Sequence, residues 1–221
     1  MFIFNSHKTI DILEQLIPEN PIIVEAGAFD GNDSRKMAQR WPQGVIHAFE
    51  PVPEIFTRLE KNTQKYSNII RYPYALSNCH GWQPFYISEK PARPGVASQA
   101  GSLHKPKDRL RVSPLIFPRT ISVKTLTLVE WAEQYSVNHI DLLWLDTQGH
   151  ELTILEAAVP ILPQIRFILA EVSFIESYYN QPLYQDVVQW LAKHGYRHIG
   201  CDFSDKKKSF FGNALFTQAF L

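Results

Sequence analysis

Cysteine is nearly absent: Cys79 and Cys201 are the only two in 221 residues. Neither belongs to a metal-ligand spacing, so a disulfide framework and a cysteine-rich zinc site are both excluded, and the pair suits a reducing compartment. Net charge is missing too. Lys plus Arg equals Asp plus Glu at 22 each, so bulk electrostatics offer no general pull on nucleic acid, and only a local patch can. No apolar run approaches the roughly 18 residues of a membrane span. Asp11 and Glu14 interrupt the apolar residues near the N-terminus, so no signal peptide is visible and the cytoplasm is the expected location. Internal repeats and low-complexity tracts are lacking as well.

What is present is the material of a folded α/β chain. The hydrophobic fraction is 45% and the aromatic fraction 13%, and the length suits a single domain spanning residues 1–221 with a sizeable core. Ile10, Leu13, Leu16 and Ile17 predict a short amphipathic helix that stops at Pro18. Beyond it strands and helices alternate. Apolar runs at 22–26, 45–49, 69–74, 140–145 and 166–172 read as strands. Helical patterns occupy 33–40, 53–65, 126–135 and 184–194, with a further helix opening near Glu151. This alternation predicts a doubly wound, mainly parallel sheet with helices on both faces. Strands near 197–200 and 210–216 close the chain as an antiparallel pair, and Lys206-Lys207-Lys208 between them reads as a turn in solvent.

Residues 90–119 break the rhythm. Five prolines and seven Lys or Arg residues stand there against one Asp, with no periodicity. A long basic, Pro-rich insertion loop is expected, either plainly solvated or serving as a lid over an anionic or polyhydroxy substrate.

The first strand carries the strongest local signal. Ile22-Ile23-Val24-Glu25 runs into Ala26-Gly27-Ala28-Phe29-Asp30-Gly31, and a second strand ends in Glu50. A strand, a glycine turn, a helix and a second strand ending in an acid suit an adenosyl ligand whose ribose hydroxyls need an acceptor. A dinucleotide turn reads G-x-G-x-x-G. Here Phe29 and Asn32 replace its second and third glycines. Glu25 and Asp30 would also repel a pyrophosphate. An ammonium and a sulfonium centre would be favoured instead, and S-adenosylmethionine carries both.

Four acids, Glu25, Glu50, Asp146 and Glu171, fall at the carboxyl ends of predicted strands, where open α/β sheets bind their ligands. Carboxylates seldom stay buried without partners, so such a row points to a site. Taken in order, Glu25-Ala-Gly27-Ala-Phe-Asp-Gly31, Phe49-Glu50-Pro51, Ala75-Leu76-Ser77-Asn78 and Asp146-Thr-Gln-Gly149-His-Glu151 resemble the FkbM-type methyltransferases over roughly residues 21–200. The resemblance implies a seven-stranded class I methyltransferase sheet of Rossmann-like type with one antiparallel strand. It also implies S-adenosylmethionine as cofactor and O-methylation, often of sugar or polyketide hydroxyls. By the same resemblance Glu25, Gly27, Ala28, Phe29, Asp30 and Gly31 line the methionine part, and Glu50, followed by Pro51, accepts the ribose hydroxyls. Ala75, Leu76 and Ser77 border the adenine, and Asp146 faces the transferring methyl. Two positions depart from the pattern: Trp144 stands where Lys is common, and Gln148 where Glu is common.

Transfer to a hydroxyl needs a base, because aliphatic alcohols are weak acids. Asp146, Glu171, Glu151 and His150 are the candidates. His150 is expected to sit exposed on the first turn of its helix, although two neighbouring acids could raise its basicity. Asp146 and Glu171 could share a divalent cation such as Mg²⁺, but no third ligand is evident. Tyr178, Tyr179, Tyr184, His104 and Lys105 are open between packing or solvent and substrate contact. The expected acceptor is a small-molecule or glycan hydroxyl. Base N-methylation of DNA is disfavoured, because Asp146-Thr147-Gln148-Gly149 replaces the Pro-Pro-aromatic platform of those enzymes. An RNA ribose target and a catalytically silent binding module are the alternatives. The sequence does not reveal the oligomeric state.

Overall fold

The computed structural model describes residues 1–204 and 209–219. The chain runs β1 (Phe2–Ile3), α1 (Thr9–Leu13), β2 (Ile22–Ala26), α2 (Asn32–Arg40), β3 (Val45–Phe49), α3 (Pro53–Thr63), β4 (Ile69–Tyr72), β5 (Ala75–Leu76) and β6 (Gly81–Glu89). It continues through α4 (Arg109–Val112), β7 (Ile116–Leu126), α5 (Leu128–Gln134), β8 (Ile140–Leu145), α6 (Glu151–Ala157), β9 (Ile165–Ser173), α7 (Tyr184–Lys193), β10 (Tyr196–Cys201) and β11 (Phe211–Gln218). Eight strands form the main sheet in the order β1-β10-β11-β9-β8-β2-β3-β4. Only β11 runs antiparallel to its neighbours.

Period-two alternation explains why helices cover both faces of this sheet. Val24, Leu143 and Ile168 point into a core with Trp131 of α5, Leu155 of α6 and Leu191 of α7. Their neighbours Ile23, Leu142 and Phe167 point the other way, against Leu13 of α1, Met37 of α2 and Leu59 of α3. Each central strand is therefore largely apolar on both faces. Truncating a fully buried core leucine such as Leu143 to Ala should cost about 2–5 kcal/mol. Helix starts follow local chemistry: Pro53 opens α3, and Thr127 caps α5 in a reciprocal box with Glu130.

Three further strands, in the order β5-β7-β6, form a second sheet. Ile87 of β6 and Ala97 beyond it pack on Val52 and Ile55, with Phe29 and Phe85 against them. This sheet and the segment 90–115 that joins β6 to β7 stand over the carboxyl ends of β2, β3 and β8.

Two expectations need correction. The main sheet gains an eighth strand because Phe2–Ile3 pairs parallel with Gly200–Cys201 at its edge. The Phe2 ring packs where a Cβ on Gly200 would stand, and two residues are too few to show a period. The N-terminal helix itself is only Thr9–Leu13. The insertion is also shorter than 90–119: β7 begins at Ile116 and pairs with β6 through Ile116 and Arg119. The turn expected at Lys206–Lys208 lies outside the described residues.

Candidate active site

Two tight turns meet at the carboxyl ends of β2 and β8. Gly27 has φ +91°, and a Cβ there would lie 1.9 Å from the Asp146 carbonyl oxygen. No side chain fits between these turns. Gly27 and Ala28 donate their N–H groups to the Phe49 carbonyl at 3.1 and 2.9 Å, and Asp146 N–H donates to Ala26 at 3.0 Å. The ends of three parallel strands are thereby tied into one rim. Gly31 (φ +80°) opens α2 where a Cβ would strike Leu59 and Thr63 of α3. Phe29 and Gln148 both take left-handed backbone, φ +50° and +55°, which is unusual without glycine and typical of functional turns.

Beneath the second sheet lies an apolar cleft of about 630 Å³, bordered by Glu50, Pro51, Ala75, Leu76, Phe85 and Leu103 among others. Glu50 is buried and accepts from the Val52 N–H at 2.8 Å. Burial pushes its carboxyl up to about 8, because desolvation penalises the anion more than backbone N–H groups and the Arg58 charge offset it. Ser77 does not border this space as expected. It is fully buried behind the wall, with its Oγ 2.9 Å from His150 Nε2 and accepting from Gln83 Nε2 at 2.9 Å.

The cleft continues into a polar chamber of about 1030 Å³ lined by Glu25, Ala28, Asp30, Trp144, Asp146 and Glu171, with Arg109 at its edge. Glu25 accepts a hydrogen bond from Ser34 of α2, and burial raises it to about 8. On the chamber floor the Gln148 amide nitrogen donates to Asp146 Oδ1 and to Glu171 Oε2, both at 2.8 Å. The Tyr178 hydroxyl lies 3.1 Å from Gln148 Oε1 and 2.8 Å from the Ala100 carbonyl, fixing which way the amide points. Ser102 secures the same residue by donating to its backbone carbonyl at 2.8 Å. Burial and the adjacent Asp146 charge raise Glu171 well above the usual carboxylate range. Desolvation by the surrounding protein atoms raises Asp146 too, although the residue is exposed to the chamber. Two carboxyls held by one amide resist ionising together. Glu171 keeps its proton longer, and the open Asp146 is the one that ionises first.

The other two base candidates sit differently. Glu151 turns its carboxylate onto its own loop, accepting from Thr147 N–H and Oγ1 at 2.8 and 3.0 Å and from Gly149 N–H at 3.0 Å. It holds the turn that presents Asp146, and burial raises it to about 7. His150 is not exposed. It is 5% accessible, wedged between Ser77 and His104, whose Nε2 lies 2.9 Å from its Nδ1. Burial and the second imidazole lower His150 to about 3, so the two acids do not raise its basicity. Tyr184 packs in the core, and Tyr179 lies exposed with Lys107 over its ring. Among the described residues no group of three or more His, Cys, Asp or Glu is arranged to hold a metal ion.

The 90–115 segment, expected either as a solvated loop or as a lid over substrate, also lines the apolar cleft, which sequence reasoning did not anticipate. Ala97, Ser98, Gln99, Gly101 and Leu103 roof the apolar cleft, and Arg109 reaches the polar chamber. The segment is held down by backbone pairing of Ser102 with Tyr86 and of Pro106 with Tyr178. Its run of prolines and basic residues was the visible signal. Gly101 lies against the Phe85 ring, which a Cβ would approach to 2.5 Å.

Among the described residues no helix is long and apolar enough to cross a membrane. The fold is similar to that of an rRNA methylase from Streptococcus thermophilus, with a TM-score of 0.54 at 11% identity over 99% of this chain and 98% of that one. In sequence the chain is 30% identical to the 2-O-methyltransferase NoeI of Sinorhizobium fredii over 77% of its own length and 70% of that protein. It is 27% identical to the hexuronic acid methyltransferase AglP of Haloferax volcanii over 58% of its length and 46% of that protein. Residues 25–198 match the methyltransferase FkbM domain. That span runs from the carboxylate of Glu25 past the Asp146–Gln148–Glu171 cluster, so the residues that line the cleft are those of the domain, and the chain belongs to the FkbM methyltransferase family.

Proposed function

We propose that this chain transfers a methyl group from S-adenosylmethionine to a hydroxyl of a carbohydrate. The observation that carries the reading is the juxtaposition of an apolar cleft ending at Glu50 with a polar chamber floored by Asp146 and Glu171. The cleft suits an adenosyl group. Ala75 and Leu76 offer an apolar wall for adenine, Glu50 is a buried acceptor for a ribose diol, and Gly27 lets the turns after β2 and β8 close together at the cleft wall. Glu25 and Asp30 face the chamber where the ammonium of the methionine part would lie. When bound, the cofactor supplies an electrophilic methyl group.

The chain's own residues then have three tasks. The 90–115 segment and second sheet keep water from the adenosyl side. The chamber aligns the acceptor hydroxyl, which supplies rate by orientation. Asp146 takes the hydroxyl proton as general base, a role worth about 10²–10⁴ in rate. Gln148 and the protonated Glu171 fix the carboxylate, and the raised affinity of the pair for a proton fits that step. The relatives' names supply the acceptor class: one is a 2-O-methyltransferase and the other acts on a hexuronic acid.

An RNA target is less well supported. Lys107 pairs with Glu176, Arg111 with Asp108, and Arg119 with Glu54 and Glu89, so three of the seven cations in 90–119 are neutralised internally. We take residues 1–221 as one methyltransferase domain in which segment 90–115 is the lid, and we place it in the cytoplasm.

Asp146→Asn, assayed with labelled methyl donor against a panel of neutral and acidic glycosides, should lose at least a hundredfold in kcat while still binding S-adenosylhomocysteine. Undiminished turnover would remove Asp146 from the reaction centre.

A further inference from the structure

A third cavity, of about 1000 Å³, opens beside the polar chamber. The two spaces share Phe29, Asp30, Gln99 and Arg109. Four cations surround it: Arg58 from α3, Lys90 and Arg93 from the start of the lid, and Arg109 from α4. Asp30 is the only acid in its wall.

The pairing of these cations sets them apart. Elsewhere Arg40 is held by Asp11 and Glu14, Lys36 by Asp33, and Arg119 by Glu54 and Glu89. Among the described residues none of the four groove cations has a carboxylate within 4.0 Å. Arg58 lies over the Phe29 ring at 5.1 Å and donates only to the Ala97 carbonyl at 3.2 Å. Arg109 lies over Phe211 at 5.1 Å, and its Nε is buried without any hydrogen-bond partner. A buried donor left unmade is costly, and guanidinium groups bind carboxylate or phosphate oxygens through paired, charge-assisted hydrogen bonds. Aromatic faces beneath both arginines hold them flat without consuming their N–H groups.

The chamber supplies the complementary observation. It is lined by Asp30, Asp33 and Asp146 as well as by Glu25 and Glu171, which burial holds toward their protonated forms, and the first three would repel an anionic acceptor entering alone. Arg109 stands at the boundary between the acids and the cations.

We propose that this groove is the acceptor's anchoring subsite, and that it binds an oxyanion, a carboxylate or a phosphate, carried on the carbohydrate whose hydroxyl reaches Asp146. This deepens the methyltransferase reading and rests on it. The enzyme would then select charged sugars over neutral ones through Lys90, Arg93 and Arg109, at a distance from the reacting oxygen.

The test uses the full chain saturated with S-adenosylhomocysteine and three probes titrated by NMR at low salt: methyl glucoside, methyl glucuronide and glucose 6-phosphate. At least one charged probe should bind ten or more times tighter than methyl glucoside, and the arm that wins identifies the oxyanion. Lys90→Gln combined with Arg93→Gln, both exposed and structurally unpaired, should reduce that preference at least threefold with S-adenosylhomocysteine affinity unchanged. Arg109→Gln should abolish it. Equal binding of charged and neutral probes, or a preference that survives all the substitutions, would overturn the subsite while leaving the methyltransferase reading intact. So would a short RNA oligonucleotide that outcompetes both charged sugars through the same cations. Failure of the wild-type chain to bind S-adenosylhomocysteine would overturn both.

Discussion

The two halves of the cleft are built on opposite plans. On the adenosyl side, β2, β3 and β8 end together, their turns meet at Gly27 with no space for a side chain, and the wall is apolar. On the acceptor side, contributions come from α3, the lid, β9 and the turn after β8, and charges face open space with few partners. The contrast follows from the ligands each must hold. A cofactor rewards one rigid, preorganised wall, whereas the acceptor is served by side chains carried on loops and separate elements.

The sharpest way to break this contrast is at Gly27. Gly27→Ala forces a Cβ onto the Asp146 carbonyl in a left-handed turn, and should cost roughly 2–4 kcal/mol of stability together with cofactor binding. Thermal unfolding and calorimetry would read both losses. Glu50→Ala removes the buried carboxylate of the apolar cleft and should weaken S-adenosylhomocysteine by about 1–3 kcal/mol with little change in melting temperature. A substitution on the acceptor floor should behave in the reverse sense. Gln148→Glu places a third acid between Asp146 and Glu171 in place of an amide that donates to both. It should leave S-adenosylhomocysteine affinity nearly unchanged and shift the pH–rate profile upward. An unshifted profile would show that the bridge does not govern the base.

The smallest effect is on stability. Glu25 and Glu50 are raised to about 8 and Glu151 to about 7. Acids raised above their unfolded value hold protons in the native state, so the stability they contribute is present at low pH and is lost as pH climbs through 7–8. His47 and His150, lowered to about 4 and 3, work in the opposite direction, but only below the ordinary histidine value. Between pH 6.5 and 8.5 the acids should therefore dominate, and the melting temperature of the cofactor-free protein should fall. Glu25→Gln should flatten that slope.

Much of this was legible from pattern. Ile22–Ala26 and Ile140–Leu145 are apolar on both faces because helices cover both sides, and the strand-end acids follow directly from the alternation. What escaped had no period to reveal it. Phe2–Ile3 is a strand only because Gly200 lets a ring pack beside it. The function of Gln148 depends on a left-handed backbone and on Tyr178, thirty positions away. His150 looked exposed because Ser77 and His104, which bury it, arrive from other elements. Arg109 lies in a stretch of prolines and charges, and what carries it to the chamber is the pairing of Pro106 with Tyr178.

The most direct test is a calorimetric titration of S-adenosylhomocysteine at pH 7 in buffers of different ionisation enthalpy. Glu25 and Glu50 are held protonated by burial, and an approaching ammonium and ribose diol favour their ionised forms. Binding should be tight, its heat should depend on the buffer, and a net release of protons should diminish in Glu25→Gln and Glu50→Gln. Binding without proton release, or tight binding of NAD with none of S-adenosylhomocysteine, would contradict the assignment of these acids to a methyl-donor site.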